Sequence, residues 1–291
     1  MRRARMIWLG LALFAAAVPA LVWLAGSAMV WGRVPVAAVP AVAPARDLTL
    51  TAADGITLAA TFWPGRRPGS PGIVLLHGVF ADRTGYAAQA GWLARQGFAV
   101  LTVDLRGHGG SGAAAHSFGL SESRDARAAF DWLKARQANA PVGVIGISLG
   151  GAAALLGDDG PLPAQALALV CVFPDIDAAI RNRVAAHAPE PLPSLLTPLL
   201  KYQSYPRFGV GPERLRPIEV LRKVTAPVLI VGGGADAYTP PEESRAMLAA
   251  AAGPKELLLL DGMDHAAATW ADTPAYRERL KAFFVGALGA P

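Results

Sequence analysis

The sequence predicts an α/β protein with a mainly parallel central sheet, and three observations carry that prediction. Beyond residue 63, apolar runs of four to eight residues alternate with longer segments of helical character, the pattern of successive βα units. Gly and Pro residues bound the apolar runs, which marks them as strands rather than buried helix. One run, Val142-Gly143-Val144-Ile145, passes through Gly146-Ile147-Ser148-Leu149-Gly150-Gly151 into a stretch of small residues, a sharp strand-to-helix corner with a serine at its tip.

The elements follow in order. Residues 48–51 and 56–63 read as an amino-terminal pair of strands, and 73–76, 100–103, 142–147, 166–173, 227–231 and 256–260 as the strands that follow. Helical segments are expected at 86–96, 122–136, 149–156, 242–252 and 273–285. In open sheets of this kind ligands bind beyond the carboxyl ends of the strands. Ser148 falls at such an end.

A serine hydroxyl is a poor nucleophile at neutral pH, so a base must take its proton and a third group must hold that base in one tautomer. Five histidines are present: His77, His108, His116, His187 and His265. In chains with this corner the order is Ser, then acid, then His, which leaves His187 and His265. His187 lies in a Pro-rich region without a preceding strand, whereas His265 follows the apolar run 256–260 in the turn Asp261-Gly262-Met263-Asp264-His265. His265 is therefore the candidate base. Asp236, after the run 227–231 and Gly232-Gly233-Gly234, is the candidate acid; Asp175 and Asp177 are the alternatives. Asp264 is expected to shape the turn of His265.

An acyl intermediate also needs donors for its oxyanion. The N–H of Leu149, next after the nucleophile, is one, and the loop His77-Gly78-Val79-Phe80 offers Val79 or Phe80 as the second. His77 itself is read as structural. The turn Asp104-Leu105-Arg106-Gly107-His108-Gly109 is read as organising a Gly-rich loop rather than as catalytic.

With these pieces in place, residues 47–288 resemble serine hydrolases of the α/β-hydrolase superfamily, and in particular membrane-anchored bacterial Bem46-like and prolyl-oligopeptidase-like (S9-like) branches. The resemblance rests on His77-Gly78, Asp104-x-Arg106-Gly107-His108-Gly109, Gly119 followed by Asp125, the Ser148 corner, Ala226-Pro227-Val228 leading to Asp236, and His265. It implies an α/β-hydrolase fold and a Ser-Asp-His triad without cofactor or metal. Two departures stand out: Gly232-Gly233-Gly234 replaces a His-Gly-polar run, and Met263-Asp264 replaces a small pair before the histidine. The superfamily includes esterases, lipases, thioesterases and peptidases, so the resemblance selects no substrate.

The amino terminus carries a second message. No charged residue occurs in the 27 positions from Met6 to Gly32, and about 20 apolar residues suffice to cross a bilayer core. Arg2, Arg3 and Arg5 precede the run and only Arg33 and Arg46 follow it closely, which predicts a cytoplasmic amino terminus, a single span and an extracytoplasmic catalytic domain in the cytoplasmic membrane. A signal peptide cleaved at Ala-x-Ala-like sites between Ala37 and Ala45, giving a secreted protein, is the alternative. The expected organisation is an Arg-rich end and anchor over 1–33, a Pro/Ala-rich linker over 34–46, and a hydrolase domain over 47–291. The net charge of +5 resides largely in this end: without Arg2, Arg3, Arg5 and Arg33 the chain holds 23 basic against 22 acidic residues, so nucleic acid is not an expected partner. The single cysteine, Cys171, has no internal disulfide partner and reads as a core residue.

Residues 175–217 are too many for a simple connection. Four prolines at 189, 191, 193 and 198, interleaved with Leu, Tyr and Phe, read either as a small broken helical cap whose apolar side chains suit acyl or aromatic groups or as a packed excursion covering the sheet edge. The expected activity is hydrolysis of carboxylic esters or related small acyl substrates. Peptidase or thioesterase activity, or a non-catalytic membrane-tethered binding module of the same fold, are the alternatives.

Overall fold

The computed structural model describes residues 2–30 and 41–291; within the first segment, side chains are described at Met6, Trp8 and from residue 17 onward. Eight strands form one sheet: β1 (Arg46–Thr51), β2 (Thr57–Trp63), β3 (Gly72–Leu76), β4 (Ala99–Val103), β5 (Val142–Ile147), β6 (Ala166–Val170), β7 (Val228–Gly233) and β8 (Lys255–Leu260). Their spatial order is β1-β2-β4-β3-β5-β6-β7-β8. β2 runs antiparallel to both of its neighbours, and the six strands from β4 to β8 in that order are mutually parallel. The mainly parallel sheet expected from the alternation is present.

The helices are α1 (Arg2–Val30), α2 (Ala87–Arg95), α3 (Glu122–Arg136), α4 (Leu149–Leu155), α5 (Ile176–Ala185), α6 (Leu192–Lys201), α7 (Ser204–Phe208), α8 (Pro217–Leu221), α9 (Pro241–Ala250), α10 (His265–Thr269) and α11 (Pro274–Leu288). Helices cover both sheet faces, which is why β3, β4 and β5 are buried at every position and could be written as unbroken apolar runs. Phe130, Leu133 and Met247 close one face. Trp92, Phe98 and Phe284 close the other.

Several boundaries differ from expectation for local reasons. The strand expected over 166–173 ends at Val170, because Cys171 adopts φ 51° and turns the chain. His265 does not end a turn but opens α10, with Asp264 as its N-cap accepting from the N–H of Ala267 at 2.8 Å. The excursion over 175–217 is helical, holding α5, α6 and α7, and α8 begins at its last residue. β1 starts at Arg46, the last residue assigned to the linker.

Among the described residues no helix is long and apolar enough to cross a membrane. Of the uncharged run 6–32, side chains are described at Met6, Trp8 and 17–30, and residues 31–40 of the expected anchor and linker lie outside the described residues altogether.

Candidate active site

Ser148 sits between β5 and α4 with φ 48° and ψ −109°, a conformation that a non-glycine residue holds only when its surroundings enforce it. Its N–H is fixed by the carbonyl of Val170 at 2.8 Å. The neighbouring glycines are required by space: a Cβ on Gly150 would lie 2.3 Å from the carbonyl oxygen of Leu76, and one on Gly151 would lie 2.2 Å from Val172 Cγ2. The corner thus closes only with small residues on the helix side, the constraint visible in the sequence motif. Ser148 keeps 9% exposure, at the surface of a pocket.

Asp236 lies just beyond β7 and is almost fully buried. One of its oxygens accepts from the N–H groups of Tyr238 and Thr239 at 2.7 and 2.8 Å. The other accepts from Thr239 Oγ1 at 2.6 Å and faces His265 Nδ1 at 2.7 Å. Burial pushes this carboxyl up, but the hydrogen bonds from His265 and Thr239 outweigh it and hold the group below its ordinary value. An ionised acceptor at Nδ1 fixes His265 with that nitrogen protonated and Nε2 bearing the lone pair. Ser148 and His265 line one pocket of about 210 Å³.

The alternatives to these residues are occupied elsewhere. Asp175 caps α5, accepting from the N–H of Ala178 at 2.9 Å, and Asp177 pairs with Lys201 at 2.6 Å. His187 is exposed and meets the hydroxyl of Tyr238 at 3.2 Å. Cys171, Asp236 and His265 bring possible ligand atoms within 4.8 Å of one another, yet both carboxylate oxygens already accept two donors each and burial pushes the thiol up to about 12. That donor set suits a hydrogen-bonded floor beneath the acid better than a cation.

Beside Ser148, the loop after β3 carries Val79 and Phe80. The N–H of Phe80 donates to His108 Nε2 at 3.4 Å, so it is engaged away from the pocket. Val79 lines the pocket together with Leu149. Behind the loop, His77 Nε2 accepts from the N–H of Leu105 at 3.0 Å while its Nδ1 meets the carbonyl of Gly78 at 2.7 Å. Burial pulls His77 down to about 4 and His108 to about 3, leaving both rings neutral. Asp104 accepts from the Arg83 backbone and guanidinium and from the N–H of Gly110, and Arg106 clamps Asp54 and Asp125. These groups hold the loops, as read from the sequence.

The pocket walls depart from expectation. The leucines and tyrosines of the excursion do not line them; Leu192, Leu195, Leu199, Tyr202 and Tyr205 are each about half exposed on the outer side. From this segment only Ala179 and Arg183 reach the pocket. The remaining apolar wall comes from Phe80, Phe118 and Phe173 and from Ala28 and Met29 at the end of α1. The reason is packing: α6 lies chiefly against α5 and also touches α1, and it turns Pro193 and Thr197 inward, so its leucine stripe faces out. Thr239 was also missed: the turn that Asp236 makes with the N–H of Tyr238 is open to any Asp, and nothing local marks the Thr239 hydroxyl as a further partner. No local pattern marks Ala28 or Met29.

Comparisons with known proteins agree with this architecture. A family model described as a serine aminopeptidase, S33, matches residues 70–210. The uncharacterized protein Rv2307c of Mycobacterium tuberculosis is 34% identical over 236 residues, covering 79% of this chain and 76% of that protein. Among solved structures, the Pyrococcus furiosus esterase Pf2001 superposes with a TM-score of 0.69 at 20% identity, over 88% of this chain and 99% of the esterase. The α/β hydrolase GrgF from Penicillium sp. sh18 does so with a TM-score of 0.61 at 19% identity, over 84% and 99%. At those identities the structural likeness shows the α/β-hydrolase fold.

Proposed function

From the premise that the chain belongs to the family of Rv2307c and carries an S33 serine-aminopeptidase-like domain on an α/β-hydrolase fold, we propose a serine hydrolase that cleaves carboxylic esters through an acyl-enzyme. The observation that carries the reading is the joint placement of Ser148, in its strained corner, with the His265–Asp236 pair on one pocket. Ser148 Oγ attacks the ester carbonyl carbon as its proton passes to His265 Nε2, and Asp236 stabilises the imidazolium through Nδ1–H. The N–H groups of Leu149 and Val79 receive the oxyanion. Collapse breaks the C–O bond, and His265 returns the proton to the leaving alkoxide. Water repeats the sequence on the acyl-enzyme, releasing acid and free Ser148.

Esters are favoured over aminoacyl substrates by charge. Among the described residues no carboxylate lines the pocket, whereas Arg183 does, stacked 4.5 Å from the ring of Tyr238. A cationic amine would meet like charge there without a counterion. An acyl chain meets Phe118, Phe173 and Met29 instead.

The same proposal places the protein at the cytoplasmic membrane as a signal anchor with the hydrolase domain outside. Its support is the uncharged run 6–32 with arginines before it. One structural detail supports an uncleaved helix and at the same time shortens the stretch free to span. Residues 22–30 of α1 are tied to the domain: Gln203 Nε2 donates to the carbonyl of Val22, and the N–H of His116 to that of Val30. If those residues stay docked, positions 6–21 span only about 24 Å of a core of about 30 Å. The α6 stripe of Leu192, Leu195 and Leu199, exposed beside α1, then suits the interface.

One preparation tests both parts. Full-length protein should label with a fluorophosphonate and hydrolyse p-nitrophenyl esters faster than aminoacyl amides, and Ser148→Ala should remove both reactions, with a loss of about 10⁶ in turnover. Persistent labelling in that variant would move the nucleophile elsewhere. Retention in the membrane pellet at high salt is expected; a soluble form beginning beyond residue 36 would mean a cleaved signal.

A further inference from the structure

The end of α1 is both the terminus of the apolar amino-terminal helix and a wall of the pocket that holds Ser148. Ala28 and Met29 line that pocket, and Met29 also packs with Phe118 against Phe173, Ile176 and Ile180. Val30 is 3% exposed and its carbonyl accepts from the N–H of His116, another lining residue, at 2.8 Å. One turn back, Gly26 abuts Gln203 so closely that a Cβ there would fall 2.1 Å from its Oε1. Arg207 donates to the carbonyl of Trp23 at 2.7 Å and to Ser27 Oγ at 3.0 Å while its guanidinium lies 3.9 Å over the Trp23 ring. A helix acting only as a tether has no need of such a seam.

We propose that the last turn of α1 is part of the substrate site, with Met29 as the residue that sets the length of acyl chain the pocket accepts. The proposal rests on the ester-hydrolase reading of Ser148 and adds a specificity-determining residue about 120 positions away from it. The chemistry suits the role. Methionine is unbranched and apolar, so it can yield to a chain lying along it, and each methylene buried there gains up to about 0.8 kcal/mol. A chain of two carbons ends near the serine and does not need this wall; a longer one does. The pocket is then complete only in a protein that retains its amino-terminal helix.

Full-length Met29→Trp in detergent, assayed on p-nitrophenyl esters from acetate to dodecanoate, should lower the dodecanoate-to-acetate ratio of kcat/KM at least tenfold. A ratio within twofold of wild type would overturn the proposal. Met29→Cys gives a second measure that tolerates a folding failure of the tryptophan variant, because the only native cysteine, Cys171, is buried. Alkylation of the introduced thiol by a maleimide should slow at least tenfold after Ser148 is modified by a dodecyl fluorophosphonate, and little after an ethyl one. Equal alkylation rates for the two adducts would place Met29 outside the acyl path and sink the idea. Failure of both reagents to label wild-type Ser148 would instead overturn the hydrolase reading, and this proposal with it; labelling by the ethyl reagent alone would overturn only this proposal.

Discussion

The floor of the pocket and its roof are held by different kinds of interaction. The floor is made of strand ends and the corners directly after them: β3 with Val79, β5 with Ser148, β7 with Asp236 and β8 with His265. At three of these corners the enabling residues lie within three positions of Ser148, Asp236 or His265, whatever they pack against. Gly150 and Gly151 must lack side chains for the Ser148 turn to close, and Asp236 collects the N–H groups of residues two and three places on. The roof, by contrast, joins α1 to α6 and α7 through contacts between residues about 180 apart, such as Gln203 with Val22 and Arg207 with Trp23. Local geometry can therefore place reacting groups, while the shape of the cavity above them depends on long-range docking.

The largest effect is expected at the floor. Asp236→Asn keeps the shape of the acid but presents an amide donor or a weaker acceptor to His265 Nδ1, so the ring loses its enforced tautomer. Turnover should fall by about 10⁴ with the fold retained. Steady-state kinetics on a short ester, beside a thermal melt, measures both. If Asp175→Asn or Asp177→Asn were instead the damaging change, the assignment of the acid would fail, despite the capping and ion-pair roles of those two residues.

This division also explains what was legible in the sequence. The parallel sheet, the Ser148 corner and the order Ser148, Asp236, His265 could be read because a buried strand must be an apolar run and a tight corner must be glycine-rich. Helix α3 begins and ends where its pattern predicts. The fate of the leucines at 192, 195 and 199 was not legible. An amphipathic stripe states that one side of a helix seeks an apolar partner without saying which partner or on which side of a pocket. Met29 was hidden for the same reason: within an apolar run, nothing distinguishes the residue that lines the pocket from its neighbours. His265 shows the intermediate case, its candidacy readable from chain order and its place at the start of α10 dependent on the Asp264 cap.

A joint between floor and roof gives a smaller effect. Asn182 of α5 donates to Glu243 of α9 at 2.6 Å and to the carbonyl of Tyr238 at 3.1 Å. The other Glu243 oxygen is buried without a hydrogen-bond partner. Burial, with the charges of Asp175 and Asp236 adding to it, pushes this carboxyl up to about 7. A folded value above the unfolded one means that the unfolded chain loses the proton first. The associated stability is fully present below the ordinary carboxylate range and is lost as pH rises through about 7. Glu243→Gln, which keeps the acceptor for Asn182, should therefore stabilise the protein more at pH 8 than at pH 5. The difference should be about 1 kcal/mol, discounted because the group retains contact with water. Equal gains at both pH values in urea unfolding would show that the joint carries no titrating group.

The smallest effect is expected at the seam of the roof. Arg207 is linked to α1 by two hydrogen bonds and by its stacking over Trp23, and also bonds Gln203 Oε1 at 2.8 Å. It does not line the pocket that contains Ser148. Arg207→Ala removes a partly exposed cation–π contact, worth about 0.5–1 kcal/mol, together with hydrogen bonds whose partners can turn to water. Global stability should drop by about 1 kcal/mol or less. The local consequence is more telling: backbone amides in residues 22–30 should exchange faster with solvent while those of β3 to β7 keep their protection, because local opening of a docked helix does not require the sheet to unfold. If the sheet amides lost protection in parallel, roof and floor would be one cooperative unit and the contrast between them would fail. If exchange over 22–30 did not change at all, the seam would be held by the apolar packing of Met29 and Val30, and Arg207 would be an accessory to it.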